Sequence, residues 1–265
     1  MIAPAGVVAG LDVGFSKIRS SSAICKLSWD RDRIGWKIRR YRATDSERKA
    51  AIQETVGGSK LQAIALDGPV RSSLDLIDEY RVAERNLTRL LGPKIGKPGQ
   101  SNAPVGRRLN EETNLCASVF LKLVEIAPAA HRHRIHERSI VEAFPTSFLG
   151  LMLADPVSVT STRGKRSDVF YKALVEDGTL RRLLEFLLPD RTIDGDLSLI
   201  TNHDDRAALI CAITAIGAAA CKYCCVGDPK NGWIVLPPQE FIQPWAHEML
   251  TENGKADLSY HQSSK

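Results

Sequence analysis

One short pattern occurs twice in this chain and limits its fold more than any other feature. Val7-Val8-Ala9-Gly10-Leu11 is an apolar run that ends on Asp12, with Gly14 just beyond it. Leu61-Gln62-Ala63-Ile64-Ala65-Leu66 is a second such run, and it ends on Asp67-Gly68-Pro69. Runs of this length rich in Val and Ile read as strands buried on both faces. A carboxylate at the exit of a buried strand is unfavourable unless it is paired or holds a cation. Between the two runs, Ser22–Ser28 and Gly35–Tyr41 read as two further strands around a polar turn, and Asp45–Val56 reads as a helix. Asp45 or Ser46 could cap that helix, and Gly57-Gly58 ends it. Three strands with short links predict an antiparallel meander. A strand after a helix returns parallel through a right-handed crossover. Asp12 and Asp67 are then expected side by side at the edge where open α/β sheets bind ligands.

The rest of the chain must supply the helices that cover such a sheet. Its 265 residues, 43% hydrophobic and 25% charged, are enough for one large domain with a sizeable core. The net charge of +5 is a mild excess, which permits a phosphate-bearing partner without requiring one. Cys221, Cys224 and Cys225 cluster after one apolar stretch and do not spread like a disulfide framework. The longest apolar segment, Ala207 to Cys221, is shorter than the roughly 20 residues of a membrane helix. With no basic leader before the first apolar run, a cytoplasmic location is expected.

Further along, residues 92–108 are rich in Gly and Pro and carry Lys94, Arg107 and Arg108, which reads as a basic loop facing substrate or solvent. Glu111–Ile126 reads as an amphipathic helix. His131, His133 and His136 lack the i, i+4 spacing of helical metal pairs and read as part of a solvated basic turn. Ser139–Ala143 is a strand candidate carrying Glu142. A helical insertion is expected over about 147–200, with helices at 168–177 and 180–188. Asn202-His203-Asp204-Asp205 opens a helix that is apolar nearly all round and is expected to run to about Tyr223, with buried cysteines at its end. Asp204 and Asp205 taken alone suit a helix first turn as caps, and they also suit a site. Gly232–Pro237 is a last strand. Residues 1–240 are thus expected to form one domain, followed by a polar tail over 241–265.

Asp12, Asp67 and Asp204 or Asp205, with Glu142 as a further member, form a candidate set. Two carboxylates about 4 Å apart repel by about 4 kcal/mol at an effective dielectric of 20. A hard divalent cation relieves that repulsion, and Mg²⁺ and Mn²⁺ keep open positions for phosphate oxygens. Such ions can activate water and stabilise a leaving oxygen in phosphodiester hydrolysis. Lys17, Arg71 and Arg107 are the candidate contacts to the phosphate backbone of a nucleic acid.

The order Val-Ala-Gly-Leu-Asp12-Val-Gly, three strands, a helix, Ala-Ile-Ala-Leu-Asp67-Gly-Pro, then Asn-His-Asp204-Asp205-Arg-Ala-Ala-Leu-Ile-Cys-Ala resembles the RNase H-like superfamily. Within it the chain is most similar to domain-of-unknown-function family 429, described as predicted RNase H-like nucleases. Val141-Glu142-Ala143-Phe144-Pro145, Gly232-Trp233-Ile234-Val235-Leu236-Pro237 and, less specifically, Arg81 to Leu87 also resemble that family. The resemblance implies an RNase H-like mixed sheet, three antiparallel strands then parallel ones, flanked by helices. It also implies a nuclease using Mg²⁺ or Mn²⁺, with Asp12 and Asp67 bridging the ions and Asp204 holding the second. The last helix is similar to that of Holliday-junction resolvases, which carry two carboxylates three residues apart. Here those positions are Asp204 and Ala207, and Asp205 points about 100° away around the helix. Two other readings stay open: an RNase H-like module that binds nucleic acid or a protein without turnover, and a phosphotransferase of the actin or sugar-kinase type, suggested by Asp12-Val13-Gly14-Phe15-Ser16-Lys17.

Overall fold

In the computed structural model, which describes residues 2–96, 98–160, 165–251 and 256–257, the opening apolar run is a central strand. β1 (Gly6–Asp12) pairs antiparallel with β2 (Ser22–Trp29), which pairs antiparallel with β3 (Arg33–Tyr41). α1 (Asp45–Val56) follows, and Thr44 is its N-cap, with its hydroxyl accepting the Glu47 N–H. The second apolar run is divided. β4 (Lys60–Leu61) leaves the main sheet, and β5 (Ile64–Asp67) returns parallel beside β1. After α2 (Val82–Asn86), α3 (Gly92–Ile95) and α4 (Pro104–Leu123), β6 (Glu125–Ile126) pairs with β4 in a separate two-stranded sheet. β7 (Ile140–Ala143) then adds parallel to β5.

Four helices come next: α5 (Pro145–Gly150), α6 (Pro156–Val159), α7 (Arg166–Glu176) and α8 (Thr179–Leu187). β8 (Thr192–Ile193) reaches back to β3, and α9 (His203–Ala219) crosses the sheet. β9 (Cys224–Asp228), β10 (Gly232–Leu236), α10 (Pro244–Thr251) and β11 (Ala256–Asp257) complete the order. The result is an α/β architecture with a nine-stranded mixed sheet, β11-β9-β10-β7-β5-β1-β2-β3-β8, flanked by helices. No helix among the described residues is long and apolar enough to cross a membrane.

Alternation along the strands sorts the sheet into two faces. Val8, Ala65 and Val141 join a buried cluster with Leu209, Cys211 and Ala212 of α9 and with Phe148, Phe170 and Leu184 from the helices after β7. Ala9, Leu11, Ile64 and Leu66 point the other way, to α1 and to Phe120 of α4. Gly10 is the contact that sets the first layer. A Cβ there would lie 2.0 Å from the Ala212 nitrogen and 2.3 Å from the Ala208 oxygen, so the backbone of α9 rests directly on β1.

Several expectations are corrected. Residues 92–108 are not one loop. Gly92–Ile95 is helical, and Pro104 opens α4, which therefore begins well before Glu111. Proline at a first helical position has a fixed φ suited to a start, and here it acts as an opener and not a breaker. α9 stops at Ala219 and not near Tyr223. The chain passes through Cys221 at φ +53, so Cys224 and Cys225 lie in a strand and not at a helix end. His131 and His133 are buried, with Tyr223 packed against both and Trp233 against His133, and do not form a solvated turn. The first part of the expected polar tail is packed. α10 buries Ala246 and Leu250, and Trp245 donates from Nε1 to the Leu153 carbonyl at 2.9 Å. Residues 252–255 and 258–265 of that tail lie outside the described residues.

Candidate functional site

The two strand-end carboxylates are neighbours by backbone register. Asp12 and Asp67 are direct partners across the parallel β1–β5 pair, so their Cα atoms are about 4.8 Å apart. Asp12 shares a face with Gly10, and Asp67 shares it with Ala65, so both point toward α9. From the Gly10 contact, β1 rises about 7 Å over two residues to Asp12. α9 covers about 6 Å from Ala208 back to Asp204. The close approach at Gly10 thereby brings Asp204 near enough to act on the Asp12 carboxyl. Asn202, and not either aspartate, caps α9: its Oδ1 accepts from the backbone N–H groups of Asp204 (2.9 Å) and Asp205 (3.3 Å). Capping is already provided, so the Asp204 side chain is left for another use.

The electrostatics follow from this crowding. Burial pushes the Asp12 carboxyl well above the ordinary aspartate value, and Asp67, Asp204 and Asp205 push it further while Lys165 pulls it down. Asp67 is pushed up to about 7, by burial first and then by Glu142. Asp205 is raised by burial and by Asp204, against the pull of Arg40. Among the described residues no hydrogen bond or ion pair engages the side chains of Asp12, Asp67 or Asp204. Asp205 faces Arg40 at 3.6 Å, and its Oδ1 is buried without a hydrogen bond.

The remaining candidates divide. Glu142 is in register with Leu66, not Asp67, so it sits on the opposite face of the sheet. There Arg81 donates to both its oxygens, at 2.6 and 2.7 Å, and the Val70 N–H donates at 3.1 Å. Lys17 is exposed in the loop after β1, and Arg107 is exposed in the first turn of α4. Arg71 is half-buried and acts on Glu79, lowering its carboxyl after the stronger Lys230 and Asn231 bonds.

Sequence reasoning missed three cations that the fold brings to this edge. Arg40 ends β3 beside Asp205, and Lys165 precedes α7 near Asp12. Arg108 lies 4.6 Å from the Phe15 ring centroid and donates to the Phe15 carbonyl at 3.3 Å, three residues after Asp12. Their partners are remote in sequence, and only the second member of the Arg107-Arg108 pair reaches Phe15, which the doublet does not signal.

Compared with known proteins, the chain matches no family model, no curated protein and no solved structure. Among the described residues no three His, Cys, Asp or Glu side chains converge closely enough to enclose a metal ion. A pair of carboxylates nevertheless suits Mg²⁺ or Mn²⁺, which bind through one or two protein carboxylates and keep several waters for exchange with substrate oxygens. The Asp12–Asp67 pair has that composition.

Proposed function

We propose that this chain is a divalent-cation-dependent nuclease of RNase H-like type, hydrolysing phosphodiester bonds in a nucleic acid. The observation that carries the reading is the in-register Asp12–Asp67 pair at a sheet edge, its Asp12 carboxyl raised further by Asp204 and, among the described residues, held by no hydrogen bond or ion pair. The strand order β3-β2-β1-β5-β7, three antiparallel and then two parallel, agrees with the resemblance to that superfamily. Asp12 and Asp67 would hold Mg²⁺ or Mn²⁺, with Asp204 orienting its water shell. The bound cation would supply an activated water and charge stabilisation for the leaving oxygen. Arg108, Lys17 and Arg107 would hold the phosphate backbone alongside, which adds affinity and register without reading sequence.

The test is cleavage of labelled DNA and RNA, single-stranded, duplex and branched, with Mn²⁺ or Mg²⁺. Asp12→Asn is expected to abolish cleavage while the far-ultraviolet circular dichroism stays unchanged. Undiminished cleavage by Asp12→Asn would remove the reading. One observation favours a second reading, a nucleic-acid-binding module without turnover. Ala207 stands where a further helix carboxylate would face the site, and Asp205 is held by Arg40. That reading predicts salt-dependent binding and no product with any cation.

A further inference from the structure

Two-ion phosphodiester chemistry needs carboxylates for the second ion as well as the first, and the fold takes three candidate positions, Glu142, Asp205 and position 207, out of that use. Glu142 faces away from α9, with both oxygens taken by Arg81 and a third bond from Val70. Position 207, one turn beyond Asp204 on α9, is a buried alanine with no donor atom. Asp205 is turned toward Arg40 on β3, and its buried Oδ1 has that guanidinium and no hydrogen bond as its company. What remains on the α9 face is the Asp12–Asp67 pair with Asp204 behind it.

From this geometry we infer that the carboxylate edge binds one divalent cation, with the Arg40 guanidinium standing where a second ion would balance Asp205. The inference rests on the metal-dependent reading above and narrows it. The guanidinium is always charged and cannot present a water for attack. It fixes the charge of Asp205 without adding an exchangeable coordination position. Asp12 and Asp67 would hold the single ion, and the second charge on the reacting phosphate would fall to arginine and lysine side chains, Arg40 and Lys165 being nearest the carboxylates.

The experiment counts ions and does not use turnover. Free Mn²⁺ is measured by electron paramagnetic resonance as Mn²⁺ alone is added to the full chain, beside Asp12→Asn, Ala207→Asp and Arg40→Gln. One equivalent bound by the wild type and none by Asp12→Asn is the expected result. Arg40→Gln, at a half-exposed position, is expected to release Asp205 and add a weaker second equivalent. Ala207→Asp is expected to add one if it folds. Two equivalents on the wild type would overturn the single-ion inference and leave the metal reading standing. No binding by the wild type would overturn the metal reading itself. An Arg40→Gln protein still limited to one equivalent would overturn the part assigned to Arg40.

Discussion

Two groups of carboxylates, one buried and one half-buried, lie one strand apart in this molecule and are handled in opposite ways. On one face of the sheet, Glu142 and Glu84 share Arg81. Glu84 accepts from Arg81 Nε at 2.8 Å and from the Ser101 N–H at 3.1 Å, and Glu142 takes both terminal nitrogens. All three side chains are at most 4% exposed. On the other face, Asp12 and Asp67 are neighbours by register, and neither has a described hydrogen-bond or ion-pair partner. A chain that buries a carboxylate with its own guanidinium has completed a structural joint. A chain that crowds carboxylates at a strand edge and gives them no hydrogen bond or ion pair stores a demand for a cation. On the proposed reading the difference separates scaffold from site, although Glu142 and Asp67 sit on adjacent strands and both are acidic.

The comparison can be broken most easily on the scaffold side. Arg81→Met leaves Glu142 and Glu84 buried without a counter-charge, and unfolding in urea should show a loss of about 3–5 kcal/mol. A loss under about 1 kcal/mol would mean that the joint is not structural.

The site side has the opposite pH signature. Asp67 is held near 7 in the folded chain against an ordinary value of 3.8. As pH rises from about 4, the unfolded chain releases this proton first, so the unfolded state gains and stability falls until about pH 7. The expected decline for metal-free protein is on the order of 1–3 kcal/mol, discounted for partial exposure and coupling to Asp12. Asp67→Asn, or saturating Mg²⁺, should flatten it. An equally steep decline in Asp67→Asn would place its origin elsewhere.

A third change acts on the link between sheet and helix. Gly10→Ala drives a methyl into the α9 backbone and should cost about 1–3 kcal/mol. It should also weaken Mn²⁺ binding, because it lifts Asp204 from Asp12. Normal metal affinity in this variant would show that α9 does not contribute to the site. The smallest effect belongs to Arg108→Ala. It removes an exposed cation–π contact of about 0.5–1 kcal/mol and should leave Mn²⁺ binding unchanged while reducing nucleic-acid affinity. Unchanged affinity would take Arg108 out of the proposed interface.

Much of this contrast was legible in the chain, for local reasons. Val7–Asp12 and Ile64–Asp67 announce themselves by apolar runs and terminal carboxylates, and Asn202 marks the start of α9. The meander and the parallel return then bring Asp12 to Asp67 by topology. What stayed hidden depends on tertiary register. Glu142 looks equivalent to Asp67 in sequence, and only its pairing with Leu66 turns it to the other face. Cys224 and Cys225 lie in a strand because β10 pairs with it, whereas in sequence they read as the end of an apolar helix. Pro104 falls in sequence within a Gly- and Pro-rich loop, and only the structure shows that it opens a helix. Arg40, Lys165 and Arg108 come from separate elements, and no local pattern links them.

The most direct test of the central claim is thermal stability during titration with Mn²⁺ and Mg²⁺, wild type beside the Asp12→Asn/Asp67→Asn double variant. A cation bound only by the folded chain adds about 2.7 kcal/mol at a hundredfold excess over its dissociation constant. The account predicts that stabilisation for the wild type and none for the double variant. Equal stabilisation of both proteins, or of neither, would contradict it.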